Sequence, residues 1–464
     1  MRKIVFIEPK PPGGHIFSKF GLPRIGIFIL ATMMKERGWD AEVVIEEMQG
    51  IDYDSLSKMD MVGISTITPT TVNAYTIADR VREMGIPVVM GGPHVTFLPE
   101  EALEHADFVI RGEGEIPLMK LVDEWEGGKH YHVVPNLSYR SENGPVHNSM
   151  RAFERDLDRF PAADFLLMKG GENLKVIPVQ TSRGCPYDCS FCSVTGMFGK
   201  RYRYRSTEHM LKELRTYKDS RRMIFFYDDH FAANRNRAKE LLRSMIDEGL
   251  MFKWSTQVRA DIVRDQELME LMKRSGCHTL FIGFESFNPE SLKEMKKKQT
   301  VEDIINAVKV IHSYGIHIHG MFVHGFDSDT IESVAMTVSY AKKMRLTSAQ
   351  FLLLTPFPGS DFYHAVNERI LFHDWSLYDA HHVVYDPKNF TPKALQKAQV
   401  YSHEKFYSFI ELVKKLAGRR WIASGIGIYA RIINRRWKKD NKEYMRMLKG
   451  YPGTGTILEG KGIA

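Results

Sequence analysis

Cys185, Cys189 and Cys192 stand together in the run Thr181-Ser-Arg-Gly-Cys-Pro-Tyr-Asp-Cys-Ser-Phe-Cys192, so three of the chain's four cysteines share one loop. Thiolates at CxxxCxxC spacing can hold three corners of a cubane iron–sulfur cluster, whereas a structural zinc takes four protein ligands. The fourth iron is then open to a substrate or cofactor, as the free position of a catalytic zinc is. A zinc loop or three unrelated buried thiols is the bland alternative, weakened because three of only four cysteines fall in this one loop. Cys277 directly precedes the apolar run Thr279 to Phe284 and reads as a small buried hydrophobe in preference to a fourth cluster ligand or redox partner. One cluster is expected.

With Phe191 just before its last cysteine, this loop resembles that of the radical S-adenosylmethionine (SAM) enzymes. The resemblance implies a [4Fe-4S] cluster whose open iron chelates the amino and carboxylate groups of SAM. The reduced cluster would cleave SAM to methionine and a 5'-deoxyadenosyl radical that takes a hydrogen atom from an unreactive carbon.

Such a loop needs a scaffold. The chain has 464 residues, enough for two or three cores, and an ordinary apolar fraction. Residues 1 to about 115 alternate β-rich runs (Lys3 to Ile7, Ala41 to Ile45, Met61 to Ser65, Pro87 to Met90) with helical patterns at Gly26 to Arg37 and Val72 to Met84. This rhythm predicts a parallel sheet, with glycine-rich loops at strand ends where such sheets bind ligands. Neither a Walker nor a GxGxxG pattern is present. Pro11-Pro12-Gly13, Leu22 to Gly26, Val62 to Ser65, Gly91-Gly92-Pro93-His94 and Arg111 to Glu115 instead resemble the cobalamin-binding domain of B12-dependent radical SAM enzymes. By that resemblance Pro12, Gly13, Ser65, Thr66, Thr68, Gly91, Gly92, His94 and Glu113 line the cofactor. The Asp-x-His-x-x-Gly signature of a lower axial histidine is absent, and His15 and His94 are the nearby imidazoles.

The expected fold is α/β: a Rossmann-like, cobalamin-type parallel sheet over 1–135, a linker over 136–175, a radical SAM partial (β/α)6 barrel over 176–370 and a helical C-terminal subdomain over 371–464. Barrel strands are read at Val176 to Gln180, Met223 to Phe226, Lys253 to Val258, Thr279 to Phe284, His317 to Val323 and Ala349 to Leu354, with functional residues at their carboxyl ends. There the resemblance places Tyr227, Asp228, Asp229, Arg259, Glu285, Ser286 and Gly325 against SAM beside Phe191. Acidic groups among them suit its ammonium. Asp261 reads as a surface ion pair. His324, at a strand end, is the candidate for proton transfer. The stretch Phe372 to Tyr385 either caps the barrel over substrate or packs a subdomain.

From Lys414 to Lys449 twelve Lys or Arg stand against Asp440 and Glu443. The uncharged stretch Trp421 to Ala430 is too short to cross a bilayer, which needs roughly 20 apolar residues. It reads either as an interfacial helix on anionic lipid or as a helix docked on the body. No signal-peptide pattern opens the sequence, which predicts a cytoplasmic enzyme; on the interfacial reading of the tail it would sit at the inner face of the membrane. Basic residues confined to one end, without an RNA-binding module, argue against nucleic acid.

The expected reaction is C-methylation of an unactivated carbon in a hydrophobic substrate, a tetrapyrrole or a membrane lipid such as a hopanoid, with SAM used twice and a flavodoxin or ferredoxin as electron donor. The anaerobic magnesium-protoporphyrin ester cyclase, which the chain also resembles, offers oxidative ring closure of a tetrapyrrole instead. A cobalamin-binding or electron-transfer protein without SAM turnover is the third alternative.

Overall fold

The computed structural model describes residues 1–14, 21–451 and 453. His15 lies outside them. The N-terminal strands are β1 (Lys3–Glu8), β2 (Asp40–Ile45), β3 (Met61–Ser65), β4 (Val88–Gly91), β5 (Phe108–Ile110), β6 (Leu137–Ser141) and β7 (Gly144–His147), in the order β2-β1-β3-β4-β5-β6-β7. The first five are parallel, and β6 and β7 extend the sheet antiparallel. Successive residues of β1 enter different cores, Ile4 and Phe6 on one face, Val5 and Ile7 on the other. Burial of both faces explains why these strands read as unbroken apolar runs. The order reverses between β1 and β3, and ligands of such sheets sit at that switch point.

Residues 136–175, expected as a linker, begin with the β6–β7 hairpin and so belong in part to this sheet. Asn143-Gly144 between two short β-rich runs is a strong hairpin signal that could have found it.

The second sheet contains β8 (Val176–Val179), β11 (Met223–Phe226), β12 (Trp254–Val258), β13 (Cys277–Glu285), β14 (His317–His324) and β15 (Ser348–Leu353), all parallel and in the order β15-β14-β13-β12-β11-β8. The two outermost strands do not pair, so the six-stranded barrel is open along one flank. Between β8 and β11 lies a short antiparallel pair, β9 (Ser182–Arg183) and β10 (Arg203–Tyr204). Along the barrel strands, Phe225, Gln257, Phe281, Met321, Gln350 and Leu352 keep partial exposure, while Ile224, Phe226, Thr256, Leu280, Ile282 and Phe322 are fully buried under the helices. The period of two in solvent access marks an accessible lumen.

Beyond the barrel, helix Pro392–Phe406 packs against β15, and helices Phe409–Ala417 and Trp421–Asp440 follow it. Ala423, Ser424, Gly427 and Ala430 dock helix Trp421–Asp440 on the body, while Trp421, Ile422, Ile428 and Ile432 stay exposed on its other side. The stretch Phe372 to Tyr385 is packed structure: the Tyr378 hydroxyl donates to the Phe372 carbonyl, and Tyr385 donates to the Gly325 carbonyl.

Candidate active site between two facing sheets

The cysteine loop leaves β8 at the carboxyl end of the barrel. Its entry is fixed by Asp228, whose Oδ1 accepts from the backbone N–H of Thr181 at 2.8 Å and of Ser182 at 2.9 Å, while Thr181 Oγ1 donates to Oδ2. Gly184 follows at φ 84°, where a β-carbon would stand 2.5 Å from the Arg201 carbonyl oxygen, so only glycine fits the turn. The loop closes with the Cys192 N–H donating to the Cys189 carbonyl at 3.1 Å. All three thiols are free and half-buried. Burial raises the Cys185 thiol and pushes Cys192 up to about 12, so iron must displace their protons on binding. Three free thiols on one braced, solvent-reachable loop are a donor set that fits a cluster.

This loop is clamped between the two sheets. Arg183, two residues before Cys185, is buried and reaches across to Glu115 at 2.5 Å and Glu113 at 3.3 Å, and Arg203 adds 2.8 Å to Glu113. The ring of Phe97, from the N-terminal sheet's helix Pro93–Phe97, sits between Gly196 and Gly359. A β-carbon would approach that ring to 3.0 Å at Gly196 and 2.3 Å at Gly359. The carboxyl ends of the two sheets consequently face each other. The charges of Arg24 and Glu8, paired at 3.3 Å beside the β1/β3 switch point, reach the Tyr227 phenol at the end of β11.

Several expected residues do meet here. Asp229 is exposed, yet the protein crowded around its carboxyl, with Asp228 beside it, raises that carboxyl to about 6. Its field also reaches Cys185 and Cys192. The Arg259 guanidinium lies 3.9 Å over the ring of Tyr187, inside the cysteine loop, and donates to the Lys297 carbonyl. Glu285 ends β13 in the left-handed region at φ 64° and accepts from Lys297 Nζ at 2.6 Å, both side chains being buried. Such a conformation costs about 1–3 kcal/mol and persists where the surroundings over-determine it. Gly283 makes room for the pair, since a β-carbon there would stand 2.3 Å from Glu285 Oε1 and 3.0 Å from Lys297 Nζ. The pair thus lies at the inner, lumen face of β13. Phe191 meets Phe326 edge-on at 5.9 Å, beside Gly325.

The sequence profile of the Radical SAM superfamily matches residues 179–341, and that of the B12 binding domain matches residues 18–122. An uncharacterised methyltransferase of Pyrococcus horikoshii is 34% identical over 405 residues, covering 83% of this chain and 88% of that protein. The chain belongs to the radical SAM superfamily and carries a B12-binding domain. The bacteriochlorophyllide d C-12(1)-methyltransferase of Chlorobaculum tepidum is 28% identical over 432 residues, 91% of each chain. Among solved structures, the cobalamin-dependent SAM radical enzyme OxsB, with aqua-cobalamin and SAM bound, has the same fold, with a TM-score of 0.71 at 17% identity over 97% of this chain and 75% of that one.

Within the B12-binding domain, Pro12 and Gly13 are exposed, with open space around Gly13, and Ser65 and Gly91 rim the crevice at the ends of β3 and β4. The others are turned inward. Thr66 is fully buried and donates to the Gly91 carbonyl, and Gly92, at φ 108°, is needed because a β-carbon would stand 2.3 Å from the Thr66 carbonyl oxygen. His94 corrects the expectation of a cofactor-facing imidazole: it is buried, with Nδ1 at 3.3 Å from Thr68 Oγ1 and Nε2 at 3.4 Å from Glu101. Thr68 is committed with it. Glu113 is likewise spent on Arg183 and Arg203.

Within the radical SAM domain three assignments change. Asp228 is a loop brace, with both carboxylate oxygens occupied. The Ser286 hydroxyl is used in a local turn, accepting from Asn288 N–H at 3.0 Å. His324 faces away from the lumen: its ring stacks on Phe351 and its Nε2 lies 3.0 Å from Ser402 Oγ on helix Pro392–Phe406. Burial lowers its imidazole to about 3, which keeps it neutral and tied to Ser402, away from the lumen. His324→Gln is therefore expected to cost about 1–3 kcal/mol of stability, from a buried partner left unsatisfied. Its pH profile for SAM cleavage should match that of the parent, and a displaced profile would restore His324 to the chemistry. Asp261 keeps its expected ion pair, 3.3 Å from Arg235. Sequence reading missed Lys297, which sits between Lys296 and Lys298, both at positive φ.

Proposed function

We propose that this radical SAM enzyme C-methylates an unactivated carbon of a hydrophobic small molecule. The observation that carries this reading is the partly exposed, largely apolar lumen beneath the cysteine loop. Phe225 and Phe281 meet edge-on at 5.6 Å there, and His319, neutral through burial, lies 4.9 Å from Phe281. Such a lining solvates apolar surface and supplies a few polar groups for orientation. The relatives named above are methyltransferases, one of them acting on a bacteriochlorophyllide.

Cys185, Cys189 and Cys192 would hold a [4Fe-4S] cluster, which supplies the electron that breaks a carbon–sulfur bond of SAM; the source of that electron would be a flavodoxin or ferredoxin. Asp229 would hold the SAM ammonium by a charge-assisted hydrogen bond. Glu285, fixed by Lys297, and Arg259, fixed by the Lys297 carbonyl, would set the polar rim around its ribose and carboxylate. Cobalamin, seated on Pro12, Gly13, Ser65 and Gly91 at the switch point, would supply the methyl group from the opposite side. Anaerobic turnover with reconstituted iron–sulfide and hydroxocobalamin tests the reading. Methylation predicts 5'-deoxyadenosine and S-adenosylhomocysteine in equal amounts, because one SAM makes the radical and another replaces the methyl group. Deoxyadenosine without S-adenosylhomocysteine would instead favour ring closure, and neither product would leave a binding protein.

The C-terminal helices support a peripheral contact with an anionic membrane. Phe409 is 64%, Ile410 67% and Trp421 67% exposed. Between residues 409 and 440 nine Lys or Arg stand against Glu411 and Asp440. Among the described residues no helix is long and apolar enough to cross a bilayer, and a two-faced basic hairpin of this kind suits its surface.

A further inference from the structure

At the foot of the barrel, the end remote from the cysteine loop, a cavity of about 490 Å³ opens between the start of β14, the turn before β15 and the start of helix Trp421–Asp440. Arg345, Arg419, Arg420, His312 and His317 line it, and no Asp or Glu does. Lys273 adds a further cation, its Nζ 3.3 Å from where a β-carbon of Gly315 would stand. Arg420 is anchored, donating to the carbonyls of Arg345 at 2.5 Å and Leu346 at 3.1 Å. Among the described residues Arg345 and Arg419 have no acidic partner, and both hold left-handed backbone, at φ 54° and 53°. The helix starting at Trp421 has no side-chain cap and no acid in its first turn, so its first N–H groups also face the cavity without an acceptor.

The positive field is uncompensated. Burial and then Arg345 lower the Arg420 guanidinium, and burial and then Arg420 lower both His312 and His317. Guanidinium groups match phosphate geometrically and are the favoured partners of that anion. Trp421 and Ile422, which line the cavity, also belong to the exposed apolar side of the hairpin. A ligand here meets guanidinium groups directly beside exposed apolar side chains, the two kinds of surface that an anionic phospholipid presents together.

We propose that this pocket binds the phosphate of an anionic phospholipid headgroup and seats the foot of the barrel on a membrane; this rests on the membrane reading of the hairpin. Two measurements on the full chain separate the two claims. Monomeric dihexanoyl-phosphatidylglycerol should shift the Trp421 component of the fluorescence, identified as the part lost in Trp421→Phe. The response should weaken at least tenfold in Arg345→Gln/Arg419→Gln, whose replaced side chains carry no structural hydrogen bond. It should persist in Arg435→Gln/Lys439→Gln, which removes the same charge elsewhere on the hairpin. No response, an equal loss in both pairs, or an equal response to inorganic phosphate overturns the headgroup pocket. Flotation with vesicles of equal parts phosphatidylcholine and phosphatidylglycerol tests the membrane contact itself. Failure to float, with the Trp421 response intact, would overturn only that contact.

Discussion

Arg183→Ala is expected to lower the unfolding free energy by about 3–5 kcal/mol, the cost of leaving a buried charge without its partner. The charge in question is Glu115, buried at the start of the helix Glu115–Glu126 that follows β5 and held at 2.5 Å by Arg183 from the cysteine loop. Burial opposes ionisation of Glu115, but the Arg183 charge and hydrogen bond outweigh it and hold the carboxyl below its ordinary value. In the parent this pair contributes stability that is present above the unfolded carboxyl's pKa and is lost as pH falls through the folded one. Without Arg183 the sign reverses. The buried carboxyl would rise above its unfolded value, so the variant should lose stability as pH increases. Chemical denaturation at pH 5 and pH 8 checks this, and a deficit that does not grow toward pH 8 would show that Glu115 is not the group left unpaired. Arg183→Ala/Glu115→Gln should recover part of the loss at pH 8.

Replacement of Cys189 by alanine should abolish 5'-deoxyadenosine formation and leave thermal unfolding of the iron-free protein within about 1 kcal/mol of the parent. The Cys189 side chain is half-exposed, and the loop's brace runs through Asp228 and not through the thiols. Cys277→Ala makes the opposite comparison. Cys277 is fully packed at the amino end of β13, the far end of the barrel from the other three, and burial holds it as a thiol. This variant should keep its full iron content and its SAM cleavage, at a cost of about 1 kcal/mol in stability. Iron and sulfide analysis after anaerobic reconstitution decides both, and loss of iron in Cys277→Ala would make it a ligand.

The strands were legible because sheets buried on both faces leave apolar runs between glycines and prolines, and β3 and β11 fall where those runs predict them. The cysteine loop was legible because its chemistry is local. What sequence left hidden is direction. Asp228 and Asp229 are indistinguishable as a pair of letters, and only the chain's path turns one into the Thr181–Ser182 brace and the other toward the thiols. His324 looks like a strand-end imidazole, but strand parity alone does not say which face meets the lumen; helix Pro392–Phe406, which follows much later, settles it. Glu113 sat in a glycine-rich loop suited to a ligand, and its partners lie 70 and 90 residues further on. Lys297 had no motif at all.

The ring of Phe97, bracketed by Gly196 and Gly359, works as a bolt between the two halves of the molecule. A side chain held by two backbones has no room to slide, so hinge-like parting of the halves is a poor route for exchanging reactants. The same seam closes the barrel's unpaired flank at its carboxyl end: the segment after β15 meets the cysteine loop after β8 there, the Phe362 N–H donating to the Ser190 carbonyl at 2.9 Å, so one set of contacts fastens both the halves and the mouth of the barrel.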